Sequence, residues 1–175
     1  MMKDIFKPII VLTCICLVVT ALLAAVNLVT APIIRAAEEE AAQQARSEVL
    51  KEAKSFEKLD VKLPDGVTEA FKGSDNSGYV FMLSQKGYGG EIKLICGIRP
   101  DGTIEAMKTL SHSETSGIGS KVVDNNTGLN QQFAGKSASN QDSVDPISGA
   151  TISSKAYKAA VKSAFEAYEK VKGAK

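Results

Sequence analysis

The chain has 175 residues, 44% of them hydrophobic, and a formal net charge of +1 from 21 Lys and Arg against 20 Asp and Glu. So even a balance gives no electrostatic footprint for a nucleic-acid partner. The apolar residues gather near the start, where Pro8 to Ile34 is a run of 27 residues without a charged side chain, which excludes an ordinary cytosolic globule.

At about 1.5 Å per residue that run makes a helix roughly 40 Å long, enough to cross a hydrocarbon layer of about 30 Å with some tilt. A cleaved signal peptide has an apolar region of only about 7 to 15 residues, and Cys14 following Thr13 is a poor lipoprotein site. One uncleaved transmembrane helix over 8–34 is expected. Lys3 and Lys7 precede it and Glu38, Glu39 and Glu40 follow it, so the positive-inside rule leaves 1–7 in the cytoplasm and the rest outside the cytoplasmic, or inner, membrane. Thr13, Thr20 and Asn27 recur along one face with Cys16 and Ala24 between them. Small and weakly polar residues in such a stripe suit a neighbouring helix; tolerance of threonine in lipid accounts for Thr13 and Thr20 but not for Asn27.

After Ile34 there remain 141 residues with 19 charges of each sign, the size of one domain with one core. From Arg35 to about Leu59 the chain is rich in Ala, Glu, Lys and Gln, lacks Gly and Pro, and carries Val49, Leu50, Ala53 and Phe56 at helical spacing. A juxtamembrane helix over 35–59 is the expectation. Extended runs follow over 66–72, 79–85, 92–98 and 103–110, separated by turn sequences at 74–78, 87–90 and 100–102, which predicts an antiparallel meander. A short helix is expected near 128–133. The last helix carries Tyr157, Val161, Ala164, Phe165, Tyr168 and Val171 in one stripe, with Lys155, Lys158, Lys162, Glu166 and Lys170 off it. The fold class is α+β: a small antiparallel sheet flanked by helices.

Cysteine and histidine usage narrows the chemistry. Cys14 and Cys16 lie in the span and Cys96 in an apolar strand, so the exported part has no disulfide framework. His112 is the single histidine and no CxxC occurs, so no metal site is expected. Ser55-Phe56-Glu57-Lys58 and Ser74-Asp75-Asn76 match two strings of penicillin-recognising enzymes. Lys108-Thr109-Leu110 stands where the third would be KTG, and the domain is too small, so these read as a helix terminus and a polar turn.

Asp145-Pro146-Ile147-Ser148-Gly149-Ala150-Thr151 directly precedes the last helix. A helix cap needs one hydroxyl; Ser148, Thr151, Ser153 and Ser154 supply four. Gly149 and Ala150 keep bulk away from Thr151, and the free amides and positive dipole end of a helix make this a natural phosphate position. Lys155, one turn on, is a candidate for offsetting a phosphodiester charge.

That string resembles the Dxx(S/T)GA(T/S) signature of the FMN-binding domain family, in which a flavin transferase joins FMN through its phosphate to the final Thr. His112-Ser113-Glu114-Thr115-Ser116-Gly117-Ile118-Gly119 resembles a second family motif, HxETPGLG, departing at Ser116 and Ile118. With the span, the juxtamembrane helix and the Gly87–Gly90 turn, the chain most resembles the G subunits of Rnf-type ion-pumping ferredoxin:NAD oxidoreductases. Those are related to the usually larger C subunits of sodium-pumping NADH:quinone oxidoreductases. The resemblance implies FMN attached covalently to Thr151, with Ser148, Gly149 and Ala150 around the phosphate. Glu114, Thr115, Gly117 and Ile118 would line the flavin, and Asp145, Ser148, Gly149, Ala150 and Thr151 would be read by the transferase. It further implies an extracytoplasmic FMN-binding domain over 60–175 and partners in the other membrane and redox subunits of a translocase.

The expected function is a membrane-anchored flavoprotein subunit that relays electrons, with no catalytic acid, base or nucleophile of its own in turnover. A pilin-like structural protein would explain the apolar helix but gives no use for 145–151. A standalone flavin reductase or regulator would keep the cofactor and lack the partners that the stripe in the span favours.

Overall fold

The computed structural model describes residues 2–173. The charged side chains of Lys3 and Asp4, at the expected cytoplasmic end, lie outside the described residues, as do 174 and 175. The chain divides into two compact units, Met1–Ala41 and Ala42–Lys175. The described residues of the first are helical throughout. Helix α1, Met2–Val49, includes Pro8 and Pro32, and it is long and apolar enough to cross a membrane. Its large apolar side chains from Phe6 to Ile34 are exposed, as a lipid-facing surface would be. Thr13 and Thr30 donate their hydroxyls to the carbonyls of Ile9 and Val26 one turn back. In-helix bonding satisfies those two threonines without any partner.

In the second unit β1 (Phe56–Lys58), β2 (Val67–Gly73), β3 (Tyr79–Lys86), β4 (Glu91–Ile98) and β5 (Ile104–His112) form one antiparallel sheet in sequence order. The meander is as expected, with strand ends shifted by a residue or two. Between β5 and the last helix lie α2 (Ser120–Val123) and α3 (Leu129–Phe133), followed by α4, Thr151–Val171. Of these, α2 alone was not expected from the sequence.

The helix expected over 35–59 ends at Val49. Beyond it, the Lys51 amide is taken by Glu105 Oε1 at 3.3 Å, and the Lys54 and Ser55 amides by Ser74 Oγ at 3.0 and 3.3 Å. Those donors would otherwise serve a continuing helix. Phe56 to Lys58 then pair with β2, Phe56 opposite Gly73.

Side chains alternate across the sheet. On β4, Ile92, Leu94, Cys96 and Ile98 join Phe81, Leu83 and the buried stripe of α4 in the main core. Ile95 on the other face joins Val80, Phe71, the end of α1 at Ala45 and Val49, and the Leu50 and Ala53 that follow it. The period-2 pattern therefore gives helix, sheet and helix as three layers within this unit. Gly97 permits the close approach on the second face: a Cβ there would meet the Val49 carbonyl oxygen at 2.0 Å. Burial pushes the Cys96 thiol and the Tyr157 phenol up from their ordinary pKa values, so both stay neutral in the core.

Candidate functional site

Three segments converge on one cavity. The β3–β4 turn is held by the Gly87 amide donating to the Gly90 carbonyl at 2.7 Å, and it presents Tyr88 with 70% of its surface exposed. The second segment is the loop after β5. There the Glu114 amide donates to His112 Nδ1 at 3.2 Å, and the Gly117 amide to Ser120 Oγ at 2.9 Å. Gly117 turns the loop at φ 87°, in the left-handed region where a Cβ is disfavoured.

The third is the entrance to α4. Gly149, at φ 80°, and the Ala150 amide donating to the Ile147 carbonyl at 3.0 Å turn the chain into the helix. Ser154 accepts from the Ile147 amide at 3.1 Å and so closes this loop from within the helix. At the N-cap stands Ala150, which makes no side-chain cap bond. The first-turn amides are thus left to water or a ligand, and Thr151 is exposed beside them.

The space, open on one side, is about 520 Å³, within the range of roughly 300 to 1,000 Å³ usual for cofactor pockets. Its walls include Tyr88; Glu114, Thr115, Ile118 and Gly119 from the loop; and Gly149 to Ser153 from the helix entrance. Among the described residues from Ala42 on, the large hydrophobic side chains left exposed are Tyr88, Ile118 and Ile152, and all three are on this wall. An apolar planar ligand would cover them. The one charged wall residue is Glu114, 8% exposed. Its Oε2 accepts from Ser153 Oγ at 2.8 Å and from the Gly89 amide at 3.4 Å, while Oε1 is buried without a hydrogen-bond partner among the described residues.

Of the residues expected at the site, Glu114, Thr115, Ile118, Gly149, Ala150 and Thr151 share this wall. Gly117 and Ser148 are exposed in the adjoining turns, and Asp145 and Lys155 are exposed outside the cavity. Four wall residues went unassigned in the sequence: Tyr88, Gly119, Ile152 and Ser153. Gly119 closes the second motif and Tyr88 lies within the Gly87–Gly90 turn, and the other two carried signals of their own. Ile152 is an apolar residue off the buried stripe of its helix, and Ser153 belongs to the surplus of hydroxyls. No group of metal-ligating side chains occurs among the described residues.

The cavity, the uncapped helix end, the apolar trio and the orphaned carboxylate oxygen fit a flavin mononucleotide. A flavin ring would find apolar walls there, and a phosphate would find helix amides in place of a cationic side chain. Sequence comparison agrees with that fit. Residues 87–166 match the family described as FMN-binding domain, and residues 1–49 match the RnfG N-terminal region. The G subunit of the proton-translocating ferredoxin:NAD(+) oxidoreductase complex of Clostridium ljungdahlii is 30% identical over 164 residues, covering 89% of this chain and 86% of the relative. The chain belongs to the family of G subunits of these complexes. The counterpart in the Na(+)-translocating complex of Acetobacterium woodii is 30% identical, with 95% and 93% covered. The G subunit of the ion-translocating oxidoreductase complex of Methanosarcina acetivorans is 33% identical, with 94% of each covered. Among solved structures, the crystal structure of Shewanella oneidensis NqrC is similar in fold, with a TM-score of 0.50 and 23% identity over 61% of each chain.

Proposed function

We propose that this protein carries FMN as a phosphoester of Thr151 and passes electrons within a membrane-bound, Rnf-type ion-translocating ferredoxin:NAD oxidoreductase. The observation that carries the reading is Thr151 itself: an exposed hydroxyl on the uncapped first turn of a 21-residue helix, at the wall of the cavity. Attachment joins Thr151 Oγ to the flavin's phosphorus. The hydroxyl proton is lost, and a nucleotide leaves from an activated flavin dinucleotide supplied with the transferase. Asp145, Ser148 and Gly149 are exposed ahead of the helix, open to such an enzyme.

When bound, FMN supplies reversible electron transfer; the protein supplies position and electrostatics. The α4 amides offset the phosphodiester charge. Tyr88, Ile118 and Ile152 would hold the ring from the apolar side, and Glu114 would offer it a confined carboxyl group. Covalent attachment keeps the cofactor at high effective concentration where a free one would diffuse away. Residues 8–34 anchor the chain in the cytoplasmic membrane, with the flavin domain on the outer side.

The test is a denaturing gel of the full-length chain, co-expressed with a flavin transferase and viewed under ultraviolet light. The wild type fluoresces as flavin, and Thr151→Ala is dark while keeping its folded circular dichroism. Modified peptide mapping to any residue other than Thr151 would overturn the assignment.

A further inference from the structure

Glu114 is unusual among the wall residues in how it is confined. Among the described residues it makes no ion pair, and three glycines from two loops close on it. A Cβ on Gly87 would come within 1.9 Å of Oε1, one on Gly119 within 2.2 Å of Oε2, and one on Gly89 within 2.9 Å of the Glu114 Cα. Backbone therefore shapes the space around the carboxylate. Its direction within that space has one close side-chain determinant, Ser153 Oγ, 2.8 Å from Oε2.

Ser153 is 1% exposed and lies two positions after Thr151 on the same turn. Its hydrogen bond spans 39 positions in sequence and joins the entrance of α4 to the loop after β5. Ser154 is different in kind, because its bond to the Ile147 amide closes a local turn and reaches neither the cavity loop nor Glu114.

We propose that Ser153 is a positioning residue for the flavin. By holding Oε2 of Glu114, its hydroxyl fixes the loop that faces the ring against the turn that carries the phosphate. The proposal rests on the reading that flavin occupies this cavity. Without the hydroxyl, a buried carboxylate is left short of donors, and it must turn or carry its loop outward. Either movement alters the charge that the ring senses and the restraint on the ring.

The experiment uses the full-length chain, co-expressed with a flavin transferase and purified in detergent. It reads flavin content after denaturation, midpoint potential by redox titration, and flavin fluorescence anisotropy. Ser153→Ala is expected to keep its full flavin content, to show a shifted midpoint and to lose anisotropy. Ser153→Thr, which retains the hydroxyl, restores both. In a Glu114→Ala background, adding Ser153→Ala changes neither quantity further, because the bond has already lost its acceptor. Where Glu114→Ala does not fold, Glu114→Met keeps the length of the side chain without an acceptor and takes its place. If the extra methyl of Thr is not accommodated, the double substitution alone decides. An unchanged midpoint and anisotropy in Ser153→Ala, or the same change in both backgrounds, overturns the proposal. Flavin absent from the wild-type chain overturns the underlying reading with it, whereas flavin present with additive variants overturns the role of Ser153 alone.

Discussion

Gly119 has φ −64° and ψ −34°, a conformation open to any residue, so its lack of a side chain is a matter of space. Gly119→Ala drives a methyl into Oε2 of Glu114. The carboxylate cannot swing aside freely, because Gly87 closes the opposite side. Overpacking of this kind costs about 1–3 kcal/mol. The expected outcome is a lowered unfolding temperature together with a loosened, still attached flavin. Gly117→Ala is the contrast: φ is 87° and nothing lies within 4 Å of the added methyl. It should cost only the left-handed backbone penalty, about 1–2 kcal/mol, and leave the flavin signal as in the wild type. Thermal unfolding and anisotropy measured on both variants separate crowding of Glu114 from strain in its loop.

The end of α1 and the strand β4 meet where Gly97 faces Val49. A methyl at Gly97 would lie 2.0 Å from a backbone oxygen and 2.7 Å from its carbon, and no rotamer relieves a clash with main chain. Gly97→Ala must therefore lift residues 42–49 from the sheet and open the cluster of Val49, Leu50, Val80 and Ile95. A loss of about 3 kcal/mol is expected, at the upper end for overpacking. It would be read as a fall of several degrees in unfolding temperature. The flavin content should hold, since the cavity is built on the other end of the sheet's connections. An unchanged unfolding temperature would mean that this helix end does not seat on β4.

For the whole molecule, the decisive property is which side of the membrane the flavin domain occupies. By the positive-inside rule, Lys3 and Lys7 ahead of the span predict an N-terminus in the cytoplasm. Protease added to intact spheroplasts is expected to remove the domain and leave a fragment that contains the span. Protection of the domain until the membrane is broken would reverse the topology and move the site of flavin attachment to the cytoplasm. Within the span, the Thr13 hydroxyl is already bonded to its own helix, which leaves Asn27 as the stronger reason to expect a neighbouring helix.

Several features were legible in the sequence because each depends on local order alone. The apolar length of residues 8–34, the alternation along β2 to β5 and the 3.6-residue stripe of α4 are periodicities, and a periodicity survives without knowledge of neighbours. Thr151 was marked by its motif and by its place at a helix entrance. Where periodicity misled, the cause was tertiary. Val49, Leu50, Ala53 and Phe56 do share one core cluster, as their spacing implied, but Glu105 and Ser74 capture the amides that would have carried the helix to Phe56. The wall formed by Tyr88, Gly119, Ile152 and Ser153 likewise has no sequence period, since it joins a hairpin turn, a loop and a helix entrance. Only folding brings the Ser153 hydroxyl onto Glu114, because that contact is set by the packing of α4 beside the loop after β5, and only the sheet brings Gly87 and Gly89 of the β3–β4 turn onto the same carboxylate.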